Sequence, residues 1–114
     1  MDGNITIANG QRYDTGRKFI GNDGVVRPII QKTILAAALP NAALGNFPHG
    51  EAIRLVAGSS HAKIVAISAA NGTVVKSEGS IGVTVDFTNT NIAITTTTDL
   101  SAYTNALITF EFVL

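Results

Sequence analysis

Leu107-Ile108-Thr109-Phe110-Glu111-Phe112-Val113-Leu114 closes the chain. In an extended strand successive side chains point to opposite faces. Ile108, Phe110, Phe112 and Leu114 then share one face, and Leu107, Thr109, Glu111 and Val113 the other. The first face is wholly apolar and the second carries one charge, so both call for cover. Such a strand lies in the middle of a sheet or is buried against a neighbouring subunit. On the second alternative Phe110, Phe112 and Leu114 are the expected interface residues.

Working back along the chain, the same period of two recurs. Ile81, Val83, Val85 and Phe87 alternate with Gly82, Thr84 and Asp86, the signature of a half-buried strand. Thr88-Asn89-Thr90-Asn91 follows as a turn, since Asn tolerates positive φ and bonds its own backbone. Ile92 to Thr98 then returns as the second arm of a hairpin. Ala62 to Ala69 reads as a strand with Ile64, Ala66 and Ser68 opposite Lys63, Val65 and Ile67. Asn71-Gly72 is a strong hairpin signal before Thr73-Val74-Val75. Val25 to Leu35 is a further extended run, whose Pro28 belongs at an edge or a bulge. Ile53 to Ala57 and a short Ile5 to Ile7 complete a set of about eight strands at sandwich-like spacing.

Helix is scarce. Leu35 to Leu44 is alanine-rich, but Pro40 removes a donor and clashes with the preceding turn, so a connection with at most one helical turn is expected. Asp99-Leu100-Ser101-Ala102-Tyr103 offers one more such turn, capped by Asp99. The fold class is therefore all-β, a small antiparallel β-sandwich. Asn22-Asp23-Gly24 divides an N-terminal arm or short strand (1–21) from the sandwich domain (22–114).

Composition narrows function mainly by exclusion. Of 114 residues 46% are hydrophobic and only 14% charged, with eight basic and eight acidic side chains cancelling. An average domain carries about 25% charged residues, and a neutral, charge-poor surface favours association. Without cysteine there is no disulfide, thiolate metal site or Cys nucleophile. Zero net charge speaks against nucleic acid as a partner, and the longest apolar run, Ile34 to Leu39, is far shorter than the about 20 residues a membrane span needs. The basic residues all fall within the first 76 positions, while later positions hold only Glu78, Asp86, Asp99 and Glu111. That asymmetry suggests a basic N-terminal face, with Arg12, Arg17 and Lys18 as docking residues, meeting an acidic partner or the C-terminal half of a neighbouring subunit.

No catalytic constellation emerges. Gly58-Ser59-Ser60-His61 lacks the Gly-x-Ser-x-Gly elbow of a serine nucleophile. His49 and His61, with Glu51 nearby, fall short of the three protein ligands of a catalytic zinc, although an oligomer axis could gather one histidine from each subunit. The acids form no facing pair of the kind glycosidases use. Neither an enzyme, a metal nor a cofactor is expected.

Two stretches resemble a module of bacteriophage tail-fibre and other virion appendage proteins. That family typically shows an Asp-Gly-Lys-Pro-Ile-Tyr-Arg-Lys-like segment, and here Asp23, Gly24, Pro28, Ile29 and Lys32 fit it, with Val25 and Val26 inserted and Ile30 replacing the Tyr. A His-Gly pair follows in the family, matched by His49-Gly50. Its closing hairpin resembles Asp86 to Thr96, followed by Asp99-Leu100-Ser101-Ala102-Tyr103 and Ile108 to Phe112. The resemblance is loose over 22–114 and good over 83–112. It implies a jelly-roll-like sandwich that trimerises, in a virion assembled in the bacterial cytoplasm. Because the module begins near residue 22, no fibre shaft is expected before it. A homotrimeric capsid decoration or head-appendage protein, bound to itself and to other virion proteins, is then the leading expectation. The alternative is the receptor-binding tip of a tail fibre, contacting a host-surface glycan or protein.

Overall fold

In a computed structural model of the chain, residues 10–71, 74–77 and 83–114 are described. Among them all regular structure is β, in two antiparallel sheets. β1 (Tyr13–Ile20), β2 (Val26–Ala38), β8 (Thr104–Phe112), β4 (Ala62–Asn71) and β5 (Val74–Ser77) form a five-stranded sheet in that order. β3 (Leu44–Pro48), β7 (Asn91–Thr96) and β6 (Val83–Phe87) form a three-stranded one. The molecule measures 44 × 40 × 22 Å, and its thin dimension suits two layers about 10 Å apart with side chains on their outer faces. Ile5 to Ile7 and Ile81 lie outside the described residues.

The closing strand is the middle strand of the larger sheet, flanked by β2 and β4. Its Phe110 face is covered by the chain's own core, whereas Leu107 on the other face stays exposed. Phe110 and Phe112 are fully buried in the chain's own core, beside Ile67, Ile92, Ile94 and Ile108. They are core residues and not subunit-interface groups; of that trio only Leu114 is exposed. The rings pack in sequence, Phe87 6.0 Å from Phe110 and Phe110 5.5 Å from Phe112.

Pairing registers correct several expectations. On β4, Ile64 pairs with Phe110 but Ala66 with Thr109, so one extra residue is inserted between them. A bulge of this kind reverses the alternation beyond it. Hence Ile64 is followed into the core by Ile67 and Ala69, whereas simple alternation had named Ala66 and Ser68. β2 runs on to Ala38, beyond the expected stop at Leu35, because Ala36 and Ala38 pair with Ala106 and Thr104. Ladder hydrogen bonds outweigh alanine's helix preference, which Pro40 already opposes. Pro28 sits where expected: it faces the irregular stretch of β1 between Asp14 and Lys18 and precedes the first β8 pairing at Ile30.

Ile53 to Ala57 is irregular loop and not strand. Ile53 is buried in the core while Arg54 N–H donates to the Val113 carbonyl at 3.0 Å. Asp99 to Tyr103 is a turn rather than a helical one: Asp99 Oδ1 accepts from Ser101 N–H and Oγ, and Tyr103 N–H reaches back to Leu100 at 3.0 Å. β3 is a strand the sequence reading does not name, and β1 falls in the segment read as an arm or short strand. β1 carries a kink, where Asp14 Oδ1 accepts from Gly16 N–H at 2.9 Å. β3, with Gly45, Asn46 and Pro48, has weak strand propensity and takes its shape from pairing with β7. Residues 13–20 thus belong to the larger sheet, as the short-strand form of the N-terminal segment.

Candidate functional site

Four of the six ion pairs among the described residues involve the long connection from β3 to β4. Lys32 stands on the core-facing side of β2 between Ile30 and Ile34, opposite Phe110. A charge in that row needs partners. Its Nζ donates to the His49 carbonyl at 2.7 Å and to Glu51 Oε2 at 3.0 Å. Glu51 in turn accepts from Arg12 Nε at 2.8 Å through its other oxygen.

His49 is buried against Phe110, ring centroids 6.3 Å apart. Glu51 N–H donates to Nδ1 at 3.0 Å, and Nε2–H donates to the Thr88 carbonyl at 2.9 Å. The tautomer is therefore set with the proton on Nε2. Gly50 adopts φ +69° between these residues, and a Cβ there would come within 3.2 Å of Lys32 Nζ. A glycine satisfies both constraints. His49-Gly50-Glu51 thereby ties β2 of the larger sheet to the β6–β7 turn of the smaller.

A second cluster lies on the opposite face of the larger sheet. Glu111, buried, holds Arg17 through an ion pair and His61 Nε2 at 3.0 Å. Phe19 lies tilted against His61, ring centroids 5.4 Å apart. A third joins Asp23, Arg27 and Arg54, with Arg27 donating to Asp23 at 2.8 Å and Arg54 Nε donating to Ser59 Oγ at 3.0 Å. Here the β1–β2 turn closes on the loop: Asn22 N–H meets the Gly58 carbonyl at 2.8 Å, and Gly58 adopts φ +80° with no room for a Cβ beside Asn22.

These contacts move the acids' affinities for protons. Burial acts to raise Glu51, but hydrogen bonds and charge from Arg12 and Lys32 outweigh it, leaving its pKa below the ordinary value. Glu111 follows the same balance, with Arg17 and His61 prevailing over burial. Asp23 falls to about 2 through the Arg27 hydrogen bond and that of Val25 N–H.

Chemically the clusters are locks. Among the described residues no buried side-chain polar atom lacks a partner, and no three His, Cys, Asp or Glu residues gather as a metal site. Ser59 and His61 face different partners, Arg54 and Glu111, so they do not combine into a nucleophile and base. Two shallow grooves flank the lock. One, about 380 Å³, runs beside Gly10, Lys32, Leu35 and His49. The other, about 520 Å³, lies between Glu51, Ala52, Asn89 and Thr90. No helix of the described residues is long and apolar enough to cross a membrane.

Of the expected docking residues, Arg12 and Arg17 are engaged with Glu51 and Glu111 of their own chain, while Lys18 is an exposed residue of β1 paired with Pro28. The N-terminal basic groups do meet acids, and Arg17 meets the C-terminal half, but within one subunit. Glu51 and Glu111 were not singled out as a pair. The available signal was a lone Glu in an otherwise apolar strand, which implies a buried cation partner without saying which. Comparison with family models, curated proteins and solved structures gave no match to this chain.

Proposed function

We propose that the chain is a non-enzymatic bacteriophage virion protein, a small homotrimeric capsid decoration or head-appendage subunit. The observation that carries this reading is the use of the residues through which the sequence resembles appendage modules. Asp23 closes the β1–β2 turn on the Arg54 loop, Lys32 and His49-Gly50 join the two sheets, and Asp99 shapes the turn before β8. Each holds a connection of the fold, as a structural module requires.

The strand order adds support. β2-β8 in one sheet and β3-β7 in the other run the two short connections, β2 to β3 and β7 to β8, side by side, bridged at Asn41 and Asp99. Nested pairing of this sort is the plan of a jelly-roll sandwich. The low charge suits a surface used for assembly.

Light scattering on the purified chain should give three times 11.8 kDa, and quantitative mass spectrometry of purified particles should find it in multiples of three per site. A chain that is monomeric and absent from particles overturns the reading. A second reading, the receptor-contacting tip of a tail fibre, draws on the groove beside Glu51, Asn89 and Thr90, whose amide, hydroxyl and carboxylate groups could bond a sugar. Blank results from both a glycan array and host-cell adsorption would dismiss it.

A further inference from the structure

The groove of about 380 Å³ beside the lock has a single charged side chain, Lys32, among the described residues that line it. Ile34 and Leu35 join Lys32 from β2, while Pro48 and Gly50 come from the end of β3 and the loop after it. An ammonium carries three protons. Two of them go to the His49 carbonyl and to Glu51, and the third has no partner among the described residues. Lys32 is only 8% exposed, so water serves that proton poorly. Gly50 leaves the ammonium uncovered on its side, since a Cβ there would stand 3.2 Å from Nζ. Charge is also left over. Glu51 divides one negative charge between two cations, Oε1 to Arg12 and Oε2 to Lys32, so the three groups together hold one positive charge in excess.

We propose that this groove binds a carboxylate carried on a short aliphatic body, the carboxylate on Lys32 Nζ and the body along Ile34, Leu35 and Pro48. The site goes beyond the assembly reading and does not depend on it. A carboxylate supplies the acceptor that the third proton lacks and also balances the excess charge. Such a charge-assisted bond is about twice as strong as one between neutral groups, so a neutral ligand of the same shape forfeits most of the gain. A phosphate brings about two charges and three strong acceptor oxygens, more than one free ammonium proton can serve once its water is lost. The aliphatic body answers the rest of the lining, because covering the exposed Leu35 and Pro48 removes apolar surface from water. A free organic acid and the C-terminus of a peptide present the same chemistry at Lys32.

Hexanoate titrated into the isotope-labelled full chain should shift the Ile34, Leu35 and Gly50 amide resonances saturably. Hexanamide, similar in shape but uncharged, and inorganic phosphate should each bind about tenfold more weakly or worse. Leu35→Asp sets a negative charge beside the ligand at an exposed position outside the Lys32–Glu51 pair. It should weaken hexanoate about tenfold or more, with the circular dichroism spectrum unchanged. Arg12→Gln removes the excess charge and leaves Lys32 bonded to Glu51, and it should weaken hexanoate in the same direction. An acetylated peptide ending in Ile-Leu, as free acid and as amide, separates the sources. Binding of hexanoate, of the peptide acid or of both supports the site and assigns its ligand to an organic acid, a chain end or either. No saturable shift with either acid, equal binding of hexanamide, the peptide amide or phosphate, or an affinity unchanged by both variants overturns it. If Leu35→Asp fails to fold, Arg12→Gln and the hexanamide comparison decide by the same criterion.

Discussion

Lys32 shows what a single residue contributes here. It interrupts an apolar row of β2, yet its ammonium is bonded to a carbonyl and a carboxylate and so is fully compensated. Removing one partner of a buried pair costs about 3–5 kcal/mol when the other charge is left alone. Since Arg12 still reaches Glu51, Lys32→Met should cost about 2–3 kcal/mol in denaturant unfolding. Much of this should be recovered by adding Glu51→Gln, and a double-mutant cycle with no coupling would refute the lock. Phe110 sits at the meeting point of three ring contacts and is fully buried. Phe110→Ala should cost about 3–5 kcal/mol, whereas a loss below about 1 kcal/mol would mean its face had been misassigned.

At the scale of elements, the β4 bulge decides which residues are core. Ile67→Ala should destabilise by about 2–4 kcal/mol, while Val65→Ala, on the exposed side, should stay within about 0.5 kcal/mol. An unbulged strand would exchange the two results. β1 is an edge strand with a kink, and beyond its ladder bonds to β2 it is held through Arg17 to Glu111, with Arg12 just before it tied to Glu51. Both carboxylates have depressed pKa values. Their stabilising contribution is therefore complete above the ordinary Glu pKa of about 4.3 and lost as pH falls through the lower folded values. Hydrogen exchange should show β1 amides opening before those of β8 as pH drops below about 4.5. Glu111→Gln should remove part of that pH dependence. Equal protection of β1 and β8 throughout would show that the two pairs do not control the strand.

For the whole molecule, the division of charge is the informative feature. Four of its six ion pairs among the described residues use the long loop between β3 and β4, fastening that loop to the chain just before β1, to β2, to β8 and to the β1–β2 turn. In the proposed assembly a chain of zero net charge associates by apolar burial, so the strength of association should change little between low and moderate salt. Sedimentation across a salt series checks this; a steep loss of association with salt would point to the exposed basic residues, Lys18 and Lys63, as the adhesive instead.

Legibility follows the range of the interactions. The all-β class, the hairpin around Asn89 and the closing strand as one apolar on nearly both faces were readable, because period-two alternation and turn chemistry are local. Ile67's place in the core was not, since one inserted residue reverses the alternation and is set by pairing with Phe110 and Thr109. β1 and β3, whose glycines, Asn and charges give weak local preference, become strands only because β2 and β7 offer unpaired edges. The same holds for the ion clusters: Arg17 and Glu111 are 94 positions apart, and nothing between them in the chain records that they meet. By itself, then, the sequence determined that this chain builds sheets and that its last strand needs cover on both faces. Tertiary structure alone decided that its own core covers the Phe110 face and leaves Leu107 in water, because cover depends on which strands pair and in what register.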